Sequence, residues 1–523
     1  MVGVGNDDAG SNPSLTAIMS QPTALRRLGA MELFSSSRHH LGIYHCVAVT
    51  ARYHLPLALA PAATDRDTEN SLLTAVASVV HDQPALRVGI LHEGNCKATT
   101  FSHVVRVDLR NHVEWRPSAA TSRDEYEAEL ASTQAWLHDQ RWPDIETRPP
   151  WRIIVLRPAH GLFPEPHLDI TFAYHHSLMD GTAGKEFHEH LLTALRTTTT
   201  ATTLNPVFEL SFPEPPELPS SQENAICFKN SYTFLARTVW DMIRPASLLP
   251  KSSSKTPWTS KPITLSAPYK TRVRLIDLDA SSLASLLRAS RNHETTLTGT
   301  LHALILTSLA RRLPPSEAGS FASSTPISLR PWLTDAPTKQ PLRVLITAHT
   351  TAHPPAIVSD LRAAQPSDEA VWQNARRLKA DITKRTSRLP ADDVAGLLPL
   401  IPDLASFWRS KDGKPRDAAW EVSNLGVLRQ GGSSSSSSSS DGEKGGDRAW
   451  RISRAVFTNG AMIAGPAIGF NAISVEGAGL TVTVTWQEGD VPEDLVEGVR
   501  SDVLAFAERW HSTGSFFPPS SPE

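Results

Sequence analysis

Residues His167–Leu195 read HLDITFAYHHSLMDGTAGKEFHEHLLTAL, and this stretch decides the fold class. Leu168, Ile170, Phe172 and Tyr174 alternate with Asp169, Thr171, Ala173 and His175, the period of a β-strand. After Gly181 the spacing changes, and Phe187, Leu191, Leu192 and Leu195 share one helical face. The chain therefore predicts a strand, a tight loop at His175-His176-Ser177-Leu178-Met179-Asp180-Gly181, and a helix. A histidine pair at a strand end, just before a helix N-terminus, is a common place for chemistry in α/β enzymes. Successive strand residues point to opposite faces, so only one of His175 and His176 should meet a substrate. His176 continues the apolar face and is the expected reactive residue.

A neutral imidazole can take a proton from an alcohol or amine while that group attacks a carbonyl. No serine or cysteine nucleophile is needed if the acyl donor is already activated, as in a thioester. Asp180 can turn back towards the strand end or steady the loop by pairing with an arginine. With 20 histidines in 523 residues, an HHxxxD pattern arises by chance with a probability on the order of a few per cent. Its setting between a strand and a helix raises its weight.

HHSLMDG resembles the HHxxxDG signature of acyl-CoA-dependent acyltransferases of the chloramphenicol acetyltransferase-like superfamily. LRRLGAMELFSSSRHHLGIYHCVAVTARY (Leu25–Tyr53), TPISLRPW (Thr325–Trp332) and EVSNLG (Glu421–Gly426) narrow the likeness to the fungal alcohol O-acetyltransferase group. No DFGWG motif of the plant branch is present. The likeness runs from about residue 25 to about 510. It implies an α/β fold of two lobes, mixed sheets with flanking helices, and an active-site tunnel between the lobes. It implies His176 as general base, with His175 and Gly181 supporting it. It also implies a structural ion pair between Asp180 and Arg330 that joins the lobes. Ser423 and Asn424 carry side chains that can donate to an oxyanion, and the resemblance sets them beside the tunnel. The implied reaction is acetyl transfer from acetyl-CoA, a co-substrate, to an alcohol hydroxyl. An amine acceptor, a secondary-metabolite hydroxyl and a non-catalytic binding protein on the same scaffold are the alternatives.

Working outward, strands are expected at Ile43–Leu55, Ala85–Leu91, Val104–Leu109 and Pro150–Leu156, with helices at Ser71–Val80 and Asp124–His138. Beyond the motif, a helix is expected at Asn230–Ile243. Strands follow at Thr271–Asp277, Thr325–Arg330, Val344–His349, Val422–Leu428, Trp450–Phe457 and Leu480–Trp486. Helices are expected at Ser281–Ser290, Leu297–Arg312, Glu369–Thr386 and Pro492–Trp510. Asn459–Gly479 reads as a glycine-rich crossover. This alternation predicts helices packed on a mixed sheet. Residues 1–20 read as a flexible tail, 21–251 as the first lobe, 252–268 as a connector, 269–515 as the second lobe and 516–523 as a tail. Residues 431–447, with eight consecutive serines, read as a disordered loop.

A length of 523 residues exceeds one usual core. The net charge of −3 offers no electrostatic pull towards nucleic acid. Cys46, Cys96 and Cys227 are odd in number and far apart, which is neither a disulfide framework nor a zinc site. His188 and His190 fall on different helix faces, so no metal is expected. There is no nucleotide-binding glycine motif and no GxSxG elbow. No apolar run reaches membrane-spanning length, and the start of the chain lacks signal-peptide character. A cytoplasmic monomer is expected. Amphipathic helices near either end leave peripheral attachment to a lipid surface open.

Overall fold

In the computed structural model, the described residues are 22–56, 65–198, 208–243, 257–334, 341–363, 367–431 and 449–518. The N-terminal tail, residues 252–256 of the connector and nearly all of the serine-rich segment lie outside them.

The first half contains β1 (Thr23–Arg27), α1 (Ala30–His40), β2 (Val47–His54), α2 (Asp65–Asp82), β3 (Val88–Leu91), β4 (Thr100–His103) and β5 (Arg106–Asp108). It continues with β6 (Val113–Pro117), α3 (Arg123–Asp139), β7 (Trp151–Arg157), β8 (His167–Tyr174), α4 (Gly181–Thr198), β9 (Glu209–Ser211), α5 (Gln222–Ala225) and α6 (Tyr232–Ile243). The second half opens with β10 (Thr271–Leu278), α7 (Ala280–Asn292), α8 (Leu297–Arg312), β11 (Phe321–Ser328), β12 (Ile346–His353), α9 (Pro355–Arg362) and α10 (Asp368–Thr386). It closes with α11 (Leu404–Arg409), β13 (Trp420–Leu428), β14 (Arg451–Asn459), β15 (Ile468–Val475), β16 (Leu480–Gln487) and α12 (Glu493–Thr513).

Two mixed sheets organise the chain. One has the strand order β14-β2-β8-β7-β6 and the other β10-β16-β15-β13-β11-β12. Helices cover both. Residues of α2 and α4 join the even-numbered residues of β8 in one core, while Ala173 of β8 faces Leu137 of α3 on the opposite side. Every residue of β8 is therefore buried. The polar ones are matched across strands: Thr171 pairs with Thr50 at 2.8 Å, and Asp169 accepts from Arg52 Nη2 at 2.8 Å. Helices α8, α10 and α12 form the second core with Trp420, Phe470 and Val484.

Local signals set the helix ends. Ser367 caps α10 through the Ala370 N–H, with Asp368 and Glu369 in the first turn and Lys384 and Arg385 in the last. Thr296 caps α8 through the Gly299 N–H, and Pro314 follows the helix end.

Several expectations change. The expected crossover at Asn459–Gly479 contains β15, an inner strand of the six-stranded sheet. All eight of its residues are buried. Alternation fails there because both faces are covered. Strand β14 pairs antiparallel with β2 and so enters the sheet of the first half. The expected strand over Ala85–Leu91 begins only at Val88, after a short 3₁₀ turn at Pro84–Arg87. The end boundary at 515 falls early. Phe516 and Phe517 are buried, and the Phe516 N–H donates to Asp368 at 2.8 Å. Their rings close the second core instead of trailing away. The described part of the connector is packed too, with Trp258 bridged to Phe321 and Ile263 buried. No helix among the described residues is long and apolar enough to cross a membrane.

Candidate active site

The loop after β8 is held by its own polar groups. The Ser177 N–H donates to His175 Nδ1 at 3.0 Å, and Ser177 Oγ donates to the Glu32 carbonyl at 2.7 Å. Asp180 caps α4 by accepting the Ala183 N–H at 2.9 Å. Two glycines make this turn possible. A Cβ on Gly181 would lie 2.8 Å from Leu425 Cδ2, and one on Gly184 would lie 2.3 Å from the Tyr174 hydroxyl. That hydroxyl donates to the Asp180 carbonyl at 2.8 Å, closing the loop on its own strand.

Arg330 sits in a 3₁₀ turn after β11 and reaches Asp180 from the second half. Its Nη1 donates to Oδ2 at 2.8 Å and its Nη2 to Oδ1 at 3.1 Å. The Leu345 N–H adds a third bond to Oδ2 at 2.8 Å. Burial alone would lower the arginine, but Asp180 and Glu186 raise it instead. A planar fork on a carboxylate is the geometry that suits arginine. Every acceptor site of Asp180 is directed at structure, so the residue shapes the loop.

The two motif histidines diverge. His175 is buried, and its Nδ1 accepts a backbone N–H, so Nε2 carries the proton and donates to Glu93 at 3.2 Å. His39 Nδ1 donates to the other oxygen of Glu93 at 2.8 Å. Burial would raise the Glu93 carboxyl, but hydrogen bonds from the two histidines hold it below the usual carboxylate range. His39, Glu93 and His175 bring ligand atoms within 4.8 Å of one another. Ser36 Oγ adds a third bond at 3.0 Å, and the contacts with the His175 tautomer fit a carboxylate held by hydrogen bonds.

His176 is the one residue of His175–Gly181 that is not fully buried. Its Nδ1 donates to the Met179 carbonyl at 2.9 Å, leaving Nε2 without a proton. Burial, then the charge of Arg38, pushes its pKa down to about 4, so the ring is neutral at neutral pH. The Tyr44 ring stands 5.8 Å from it, and the Arg38 guanidinium lies 4.6 Å from the Tyr44 ring centre. Cys46, two residues on, is buried and its thiol is raised by burial, so it supplies no thiolate.

Strand β13 separates the two residues expected together at the second lobe. Trp420 and Val422 point into the helix-covered core. Asn424 follows them, donating to Thr298 of α8 at 3.2 Å and accepting the Gly426 N–H at 2.9 Å. Glu421 and Ser423 take the opposite face, and Leu425 packs on the first core. Asn424 thus leaves the expected pair, because neighbouring strand residues cannot share a face. Two surface depressions lie elsewhere: one of about 310 Å³ beside Arg272 and Trp486, another of about 460 Å³ beside His112 and Arg148. Neither is lined by His176.

Sequence reading missed Glu93, Tyr44, Arg38 and Glu421. Arg38 and Tyr44 lay inside the quoted Leu25–Tyr53 stretch, and Glu421 opened another, without a spacing that marked them. Glu93 had no signal at all.

The chain matches the family model for alcohol acetyltransferase over residues 138–496. It is 30% identical to a protein named probable alcohol acetyltransferase FCK4 from Fusarium pseudograminearum, covering 92% of this chain and 94% of the relative. It is 24% identical to probable alcohol acetyltransferase crmB from Aspergillus fumigatus, over 92% of this chain and 99% of that one. Among solved structures, the TRI3 trichothecene 15-O-acetyltransferase from Fusarium sporotrichioides superposes with a TM-score of 0.64 at 13% identity, covering 92% of this chain and 94% of the other. That likeness shows the shared fold.

Proposed function

Because the chain belongs to the alcohol acetyltransferase family, and is thus an acyl-CoA-dependent O-acyltransferase, we propose that His176 is the general base of direct acetyl transfer. The observation that carries this is the tautomer: Nδ1–H is spent on Met179, and the bare Nε2 belongs to the least buried residue of the motif.

An alcohol O–H gives its proton to Nε2 as the oxygen forms a bond to the thioester carbonyl carbon. The carbonyl electrons move onto oxygen, and the tetrahedral species then expels the thiolate of coenzyme A. Nε2–H returns the proton to that sulfur, leaving an ester, the free thiol and an unchanged histidine. No protein group is acylated. Ser423, on the β13 face turned to the first lobe, is the donor we assign to the developing oxyanion. Asp180 and Arg330 hold the loop and move no proton.

The test is product mass spectrometry with acetyl-CoA and a mixed panel of alcohols and amines, alongside intact-mass measurement of the protein with acetyl-CoA alone. Esters form and the protein mass stays unchanged. Amides in place of esters would make the acceptor an amine. An acetylated protein that passes its group to alcohol would overturn direct transfer.

A further inference from the structure

Arg38 and Glu421 come from opposite halves of the chain, and among the described residues neither is joined to a partner by an ion pair. Arg38 belongs to α1, in the first half. Its guanidinium is set against three rings, 4.6 Å from Tyr44, 5.0 Å from Phe34 and 5.8 Å from Trp408. Ring faces attract the cation without using its N–H donors. Of its five N–H donors, one makes a long bond to Ser35 Oγ at 3.3 Å. Its Nε is buried without a partner. Glu421 comes from β13, in the second half. It accepts one hydrogen bond, from Ser324 Oγ at 3.1 Å. Burial raises its carboxyl to about 7, against the pull of Ser324 and Arg38.

Each group feels the other's charge, yet no ion pair joins them among the described residues. A native fold rarely leaves a buried guanidinium nitrogen unpaired, and such a group calls for an explanation. The position supplies one. Arg38 also acts on the charge state of His176, and the Tyr44 ring adjoins both side chains, 5.8 Å from the imidazole and 4.6 Å from the guanidinium. The unspent donors therefore stand near the base, and the unspent acceptor acts on the same Tyr44 ring that adjoins it.

We infer that Arg38 and Glu421 form a two-sided polar subsite for the acceptor, selecting an oxygenated alcohol that carries a second hydroxyl or a carbonyl away from the reacting hydroxyl. Arg38 donates to an oxygen of that second function, and Glu421 takes a hydrogen bond from a hydroxyl on the same molecule. A simple alkanol leaves both groups unmet, which is the condition under which buried polar sites discriminate most. This rests on the acyltransferase reading above and adds the substrate class to it. The amides of the pantetheine arm offer the same donor and acceptor chemistry, so the test must separate acceptor from cofactor.

Initial rates are measured with acetyl-CoA and pairs of acceptors sharing one carbon skeleton, an alkanol against its diol or hydroxyketone. The enzyme prefers the oxygenated member at least about tenfold in kcat/KM. Arg38→Lys and Glu421→Gln keep size and fold, which a melting curve checks, and each shrinks that ratio at least about tenfold by raising the KM of the oxygenated acceptor. The KM for acetyl-CoA stays level. A ratio near one in the unaltered enzyme, or unchanged in both variants, overturns the subsite while acetyl transfer itself stands. A raised KM for acetyl-CoA with every acceptor overturns it in favour of the pantetheine arm.

Discussion

Two polar clusters meet the end of β8, one behind the loop and one in front of it. Behind it, Glu93 takes hydrogen bonds from His39, His175 and Ser36 at 2.8 to 3.2 Å, and within the cluster only Nε2 of His39 lacks a partner. In front, among the described residues, His176 Nε2, Arg38 Nε and one oxygen of Glu421 make no hydrogen bond. The rear cluster is mostly buried and the front one half-buried, so a low dielectric raises the stakes in each. One is satisfied from within the chain and stiffens the turn. The other is complete only with something bound. Adjacent residues of one strand end, His175 and His176, belong to different clusters because they point to opposite sides.

This contrast breaks most sharply at His176. His176→Ala should lower kcat/KM by about a thousandfold, the range of a lost general base, with only a small drop in melting temperature from the lost bond to Met179. Near-normal turnover would remove the assignment. The same ring should set the acid limit of activity. An unperturbed imidazole loses its base form near pH 6.5, whereas His176 at about 4 keeps it, so activity should fall on its account only below about pH 5.

Arg330→Ala comes next and should cost about 3–5 kcal/mol in urea denaturation, since it strands the Asp180 carboxylate, 2% exposed, without its cation. Arg330→Lys should recover part of that and not all, because one ammonium cannot replace the fork. Equal stability in Arg330→Ala and the parent chain would mean that the loop is held without the pair.

Glu93→Gln tests the rear cluster and should destabilise by about 1–3 kcal/mol. Glu93 is held below its usual range, so the unfolded chain binds its proton at higher pH than the folded one. Its stabilisation is present above about pH 4.3 and is lost as pH falls through the folded value. The variant should therefore show a flatter acid limb in stability against pH. A limb as steep as the parent's would place the acid sensitivity elsewhere. The smallest effect is expected at Arg110, paired with Asp108 on the surface. Arg110→Ala should leave the denaturation midpoint unmoved, since water and salt screen such pairs.

The strand and helix around the motif were legible because their periods are properties of a few neighbouring residues. Tyr174 and Phe187 fell on the buried faces that alternation assigned them. Strand β15 was not legible, since a strand covered on both sides loses alternation and Gly469 and Asn471 resemble a loop. Ser423 and Asn424 read as one unit until β13 turned them apart. Glu93 was invisible, because a lone glutamate in a loop looks solvated until two histidines from other elements close on it.

By itself the sequence determined the strand–loop–helix around His175 and His176, the opposed faces of the two rings and the kinship with acyltransferases. Those features follow from backbone periods of two and 3.6 residues and from a compact motif. The tertiary structure alone decided the fork by which Arg330 grips Asp180, 150 residues away, which histidine is spent on Glu93, and which polar groups stay unspent between the two halves. Such pairings depend on how two whole cores pack against each other, and no local repeat encodes that.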